Sequence, residues 1–176
     1  MNAKSEYRGD TMVYKTLKNL NISFEYHEHP PVPTVEEASK YWEGIDSNHC
    51  KNLFFRNHKG NRHILVILDY KQNLHIHDLE VRLKQGKITF ASPERMQKFL
   101  GVTPGSVSPF GLIHDLNHQV HLIIDENLQN AQRISFHPNL NTASLVLSFQ
   151  DFIKFLKWTT NRFEFMRLYE KNLADS

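Results

Sequence analysis

Apolar residues along the chain follow two rhythms, one helical and one alternating. Val13, Leu17 and Leu20 recur at helical spacing, which predicts a helix from Thr11 that stops at Asn21. Residues 22–27 alternate apolar and polar side chains and predict a strand, ended by His29-Pro30-Pro31-Val32-Pro33, where three prolines force extended backbone. Thr34 and Glu37 stand at capping-box spacing and open a short helix to about Trp42. Residues 53–56 and 63–69 predict a hairpin closed by turn residues 57–61. The near-continuous apolar run 64–68 marks its second strand as central and covered on both faces. A helix over 78–83 and a strand over 87–91 come next. Ser92-Pro93-Glu94 then supplies a cap, a proline for the first helical position and an acid for the first turn of a helix that stops at Gly101. Strands are predicted over 120–124, 133–136 and 143–147. Ser148 and Asp151 cap a last helix, in which Phe149, Phe152, Ile153 and Leu156 share a face through about Trp158. The expected fold class is α+β: one domain with a mixed central sheet of six or seven strands and surrounding helices. It is expected over residues 11–170, with tails at 1–10 and 171–176.

Composition narrows the class. The 176 residues are 40% apolar and include 12 Phe, enough for one core and incompatible with a disordered chain. The single cysteine, Cys50, excludes a disulfide framework and a Cys-rich zinc module. Apolar runs fall far short of the roughly 20 residues that a membrane span requires. The opening MNAKSEYRGD lacks the apolar core of a secretory signal, so a soluble cytoplasmic protein with no membrane partner is expected. The formal charge is +2, but 11 His would make the surface far more cationic in mild acid. This suits a polyanionic partner without requiring one.

The histidines first suggest a metal. His27 and His29, and His75 and His77, are spaced to share a strand face, and His114, His118 and His121 would line one side of a helix. There is no HExxH, and Asp115-Leu116-Asn117 is a poor helix interior, so surface histidine is the preferred reading and no metal or cofactor is expected. Cys50 is read as buried and inert, since its neighbours His49 and Lys51 project to the opposite strand face. Glu36 and Glu37 form an acidic pair that helix capping explains. No GxSxG elbow, P-loop or dinucleotide-binding glycine pattern occurs. The most informative segment is Gly101-Val-Thr-Pro-Gly105-Ser-Val-Ser-Pro109-Phe-Gly111. Glycines let a ligand approach the backbone, and Ser106 and Ser108 add hydroxyls, although a plain surface crossover has the same composition. Phe136-His137-Pro138-Asn139-Leu-Asn141-Thr142 reads as a polar turn between strands.

Three ordered segments carry a resemblance: Cys50-Lys51-Asn52-Leu53-Phe54-Phe55, then Gly105-Ser-Val-Ser-Pro109-Phe-Gly111-Leu112, then Phe136-His137-Pro138-Asn139 with Thr142. His29-Pro30 and Thr34-Val-Glu-Glu-Ala38 fit the same pattern. Over about residues 11–170 the sequence resembles the YbaK/ProX-type aminoacyl-tRNA deacylases, relatives of the editing domain inserted in bacterial prolyl-tRNA synthetases. Within them it most resembles the free-standing alanyl-tRNA(Pro) deacylase branch. The resemblance implies the fold of that family, a role in translation fidelity and a substrate at the CCA acceptor end of tRNA(Pro). The action would be that of a monomer, with prolyl-tRNA synthetase as a possible partner. It implies that Lys51 grips the terminal phosphate while Asn52 and His137 share its pocket. Gly105, in the GxxxP segment ending at Pro109, would place water and the aminoacyl carbonyl by its backbone. A ribose hydroxyl would relay the proton, and His137 would act chemically or by positioning. Thr34, Ser106, Ser108, Pro109 and Asn139 are expected to complete the binding set. Val32, Val107 and Leu112 are candidate walls for a pocket that selects by size. Removal of cysteine or another small aminoacyl group is the alternative activity, and a non-catalytic tRNA- or synthetase-binding module the alternative class.

Overall fold

The computed structural model describes residues 7–32 and 34–169. Eight strands build one mixed sheet: β1 (Glu25–Glu28), β2 (Asn48–Asn57), β3 (His63–Asp69), β4 (Ile88–Phe90), β5 (Val120–Asp125), β6 (Arg133–Phe136), β7 (Ala143–Ser148) and β8 (Phe163–Met166). Their order is β1-β7-β6-β2-β3-β5-β8, and β4 pairs separately with β2. The β2/β6, β3/β5 and β5/β8 pairs are parallel, the others antiparallel. Five helices pack around the sheet: α1 (Thr11–Asn19), α2 (Val35–Ser39), α3 (Ile76–Leu83), α4 (Pro93–Leu100) and α5 (Phe149–Thr159). Among the described residues, no helix is long and apolar enough to cross a membrane.

The expected α+β sheet domain is present, with an eighth strand beyond the predicted six or seven. β3 is central, and every residue from His63 to Leu68 is buried. Its side chains alternate between two cores. Leu65 and Ile67 pack with Phe54, Leu100 and Phe155 on one face, whereas Ile64, Val66 and Leu68 pack with Phe55 and Leu79 on the other. The predicted caps form: Ser92 accepts from the Arg95 N–H at 3.3 Å and Ser148 from the Asp151 N–H at 3.1 Å. Thr34 accepts from the Glu37 N–H at 3.2 Å and so caps α2.

Two strand starts moved, α2 ends at Ser39 short of the expected Trp42, and one strand was added. β1 begins at Glu25, not Ile22, because Ile22 is drawn into the α1 end by its N–H bond to the Leu17 carbonyl. β2 begins at Asn48, five residues before the expected Leu53, because Asn48 and His49 pair with β6, a long-range contact that local pattern does not encode. β8 alternates as Phe-Glu-Phe-Met and adds to β5. Of the expected tails, residues 1–6 and 171–176 lie outside the described residues. The Tyr7 ring packs between Tyr14, Phe24 and Tyr26. Asp10 caps α1 and also receives bonds from His114 Nε2 at 2.5 Å and Asn139 Nδ2 at 3.0 Å.

Candidate functional site

Among the described residues, β2 is the strand with partners on one side at both its ends and no strand paired in between. On that edge β6 pairs with Asn48 and His49, and β4 with Phe55 to Asn57. The Tyr70 N–H to His49 carbonyl bond and the Asn57 N–H to Arg62 carbonyl bond, both 3.0 Å, show that odd residues of β2 bond to β3. Even residues therefore turn their amide groups toward the other edge. There the Phe54 carbonyl accepts from the Ala91 N–H at 2.8 Å, and Asn52 faces the gap.

A pocket of about 270 Å³ opens in this gap, lined by consecutive residues Cys50 to Phe54. α2 and the segments flanking it contribute Val32, Thr34, Val35, Ala38 and Trp42. Phe90 and Met96 come from β4 and α4, Gly105 and Val107 from the glycine-rich loop, and His137 from the turn after β6. Five of the nine expected site residues, Lys51, Asn52, Gly105, His137 and Thr34, thus meet at one pocket although they span a hundred positions in sequence. Among the candidate walls, Val32 and Val107 line it and Leu112 does not.

The other four do not line this pocket. Ser106 and Ser108 are buried, and Ser108 instead caps the 3-10 turn Pro109–His114 by accepting from the Phe110 N–H at 3.2 Å. Pro109 is the first residue of that turn and is buried in it. Asn139 is buried in a left-handed conformation, φ 60°, and donates to Asp10. Each of these shapes the loops that hold Gly105 and His137, and none faces the cavity.

The polar groups of the pocket are held in defined forms. His137 Nδ1 lies 2.9 Å from the Ala143 carbonyl, which can only accept, so Nδ1 carries the proton and Nε2 a lone pair. Burial pulls the His137 pKa below the usual histidine value, with a smaller lowering from His29 nearby, against the raising effect of the Ala143 bond. Asn52 donates from Nδ2 to the Val107 carbonyl at 3.2 Å, tying β2 to the loop, while its buried Oδ1 has no partner among the described residues. The Lys51 ammonium donates to the Gln72 carbonyl at 2.7 Å and to Asn73 Oδ1 at 3.3 Å, leaving one of its three N–H groups. Gly105 has φ +88°, a conformation that side chains other than glycine's resist. Cys50 is buried and its thiol is pushed well above its usual value by burial, as an inert cysteine should be.

The histidine pairs separate in space. His75 precedes α3 and His77 faces Glu80, while His114, His118 and His121 contact Asp10, Thr160 and Glu164 respectively. Among the described residues, no group of three or more His, Cys, Asp or Glu is placed to hold a metal. The expectation that histidines other than His137 lie at the surface fails for His29, His49 and His63, which are buried. His29 donates to the Pro30 carbonyl at 2.9 Å and pairs with Ser144 at 3.1 Å, His49 pairs with Ser135 at 2.8 Å, and His63 with Arg95 at 2.7 Å. Ser144, Ser135 and Arg95 are remote in sequence, which is why sequence reading missed these histidines. Trp42 was missed as a pocket residue for the same reason. Its ring stacks on His49 with centroids 4.3 Å apart and planes 1° from parallel.

The family model for the aminoacyl-tRNA editing domain matches residues 29–155. The prolyl-tRNA editing protein ProX of Acetoanaerobium sticklandii is 39% identical over 157 residues, covering 89% of this chain and 95% of that protein. Prolyl-tRNA synthetase associated domain-containing protein 1 of Mus musculus is 30% identical over 161 residues, covering 89% of this chain and 94% of its own length. A crystal structure described as that of a candidate trans-editing enzyme for prolyl-tRNA synthetase superposes with a TM-score of 0.69. It covers 92% of this chain and 96% of its own, at 21% identity, and so shares the fold.

Proposed function

The chain belongs to the aminoacyl-tRNA editing domain family, and from that premise we propose that it is a trans-editing hydrolase that removes alanine from mischarged tRNA(Pro). The observation that carries this reading is the convergence of Lys51, Asn52, Gly105, His137 and Thr34 on one small pocket at the open edge of β2. The scissile aminoacyl ester is already activated, so cleavage demands orientation and modest polarisation more than a strong base.

In this reading the remaining N–H of Lys51 meets a phosphate oxygen of the 3′ end, a point-charge contact suited to an ammonium. The lone Oδ1 of Asn52 accepts from the α-ammonium of the amino acid. The Gly105 backbone, free of a side chain, lies against the ester carbonyl and the attacking water. His137 Nε2 accepts a hydrogen bond from the ribose hydroxyl or from that water. The oxygen of water then forms a bond to the acyl carbon as the bond between that carbon and the ribose oxygen breaks, and a proton from the water passes to the leaving ribose oxygen. Thr34 stays a cap that fixes the pocket wall. Val32, Val35, Ala38 and Val107 supply an apolar enclosure for a methyl group. Such a wall separates side chains by size, with roughly 1–3 kcal/mol per methylene available. The work is placed in the cytoplasm, on tRNA released by prolyl-tRNA synthetase.

The test is release of labelled amino acid from tRNA(Pro) charged with alanine, cysteine, serine or proline. Preference for the alanyl ester supports the proposal, preference for the cysteinyl ester replaces alanine by cysteine, and tight tRNA binding with no hydrolysis would make the chain a binding module.

A further inference from the structure

Positive charge is concentrated in one stretch of the sequence. Residues 56–98 contain nine Lys or Arg against four Asp or Glu, although the whole chain carries only +2. This stretch runs from the hairpin end of β2 through α4. There an open trough of about 830 Å³ lies between the hairpin turn, α4 and the loop before β5. Arg62, Arg95 and Lys98 line it, with Asn61, Asn117 and Gln119 between them, and Glu94 is the one acid among the described residues lining it. Arg62 and Lys98 are exposed. Arg95 is clamped in place: its Nη1 donates to His63 Nε2 at 2.7 Å and to the Gly60 carbonyl at 2.9 Å. A Cβ at Gly60 would stand 2.9 Å from the Arg95 guanidinium, so the turn glycine makes room for the clamp. Amide side chains between cations suit a sugar–phosphate backbone, whereas a protein-docking face would present apolar anchors.

The trough and the pocket lie on either side of one helix. Helix α4 divides them, with Met96 lining the pocket and Arg95 and Lys98 lining the trough. A helix is about 10 Å across with its side chains, and three stacked nucleotides at about 3.4 Å each span the same distance. On the pocket rim Phe90 is 60% exposed while stacked on Phe55 with centroids 4.7 Å apart, a rigid aromatic face turned to solvent.

We propose that the trough binds the acceptor-stem backbone of the tRNA, with Arg62, Arg95 and Lys98 on its phosphates, while Phe90 stacks against a base of the single-stranded end on its way to the pocket. The proposal rests on the deacylase reading for the identity of the RNA, but the surface itself is testable by binding alone.

The experiment compares the wild-type chain with Arg62→Glu/Lys98→Glu and with Phe90→Ala. It measures binding of an uncharged acceptor-stem minihelix over a range of salt, and hydrolysis of both alanyl-tRNA(Pro) and the 3′-alanyl ester of adenosine. The charge reversal is expected to weaken minihelix binding at least tenfold and to flatten its log–log salt slope by about two. It should slow hydrolysis of the tRNA by a similar factor and leave the adenosine ester within twofold of wild type. Phe90→Ala should slow both esters. Unchanged minihelix affinity and salt slope in the charge reversal would overturn the trough, as would equal slowing of the two esters. Wild-type rates for Phe90→Ala would overturn the stacking. A minihelix bound in the trough with no ester hydrolysed by the wild type would uphold the surface and reject the deacylase reading.

Discussion

The His137 imidazole is fixed as one tautomer by the Ala143 carbonyl, and burial lowers its pKa below the usual histidine value of 6.5. Its Nε2 lone pair is therefore present at neutral pH and stays present as the solution becomes mildly acidic. If this lone pair positions the nucleophile, the single-turnover rate should stay level as pH falls through 6.5 and decline only below it. An acidic limb centred at or above 6.5 would contradict that assignment. In the proposed reading Lys51 works by charge and reach. Lys51→Ala should lower kcat/KM by a hundredfold or more while thermal stability stays within a few degrees, since the two bonds it loses are at the surface of a turn. Lys51→Arg should recover little, because a planar guanidinium cannot replace a compact ammonium in that turn.

Two glycines separate site from scaffold at the level of elements. Gly105→Ala must adopt φ near +88° with only ordinary contacts around its new methyl, so the chain should fold and the loop backbone should shift. Its deacylation rate is expected to fall at least tenfold with a small change in melting temperature. Gly111→Ala would place Cβ 2.8 Å from both Cβ and the carbonyl oxygen of Leu100, at the α4 contact. It should cost about 1–3 kcal/mol of stability, read by denaturant titration, through overpacking. The same contrast explains what was legible in the sequence. The caps at Ser92 and Ser148, the glycine stop at Gly101 and the two-faced burial of β3 all depend on residues a few positions apart, and they could be read directly. The early start of β2 depends on pairing with β6, more than eighty residues away, and could not. The Lys51-Asn52, Gly105 and His137 motifs could be recognised separately, and their meeting at one pocket required the fold. Ser106, Ser108, Pro109 and Asn139 share those motifs but are turned inward, because a motif records a loop's shape as well as its contacts.

The whole molecule carries several histidines whose full or partial burial disfavours the charged form. Burial lowers His49 and His63 to about 4, in the case of His63 with help from Arg95, and it lowers His121 and His137 as well. Between about pH 6.5 and 4 the unfolded chain binds protons that the folded chain refuses, so stability should fall as pH falls across that window. Each such group contributes at most about 1.4 kcal/mol per pH unit. Burial raises the carboxyl of Asp125 and so opposes this trend near the acid end. Urea midpoints at intervals between pH 7 and 4 should decline steadily, and His49→Gln/His63→Gln should flatten the decline. At this scale the proposed reading joins the pocket in the open edge of the sheet and the basic trough across α4 as the two places that take the end of an aminoacylated RNA. The most direct measurement of that claim is the rate at which the purified chain releases alanine from alanyl-tRNA(Pro), with prolyl-tRNA(Pro) as the competing substrate. Rapid loss of alanine with proline spared is the predicted result. Failure to release alanine, cysteine or serine from tRNA(Pro) would contradict the account.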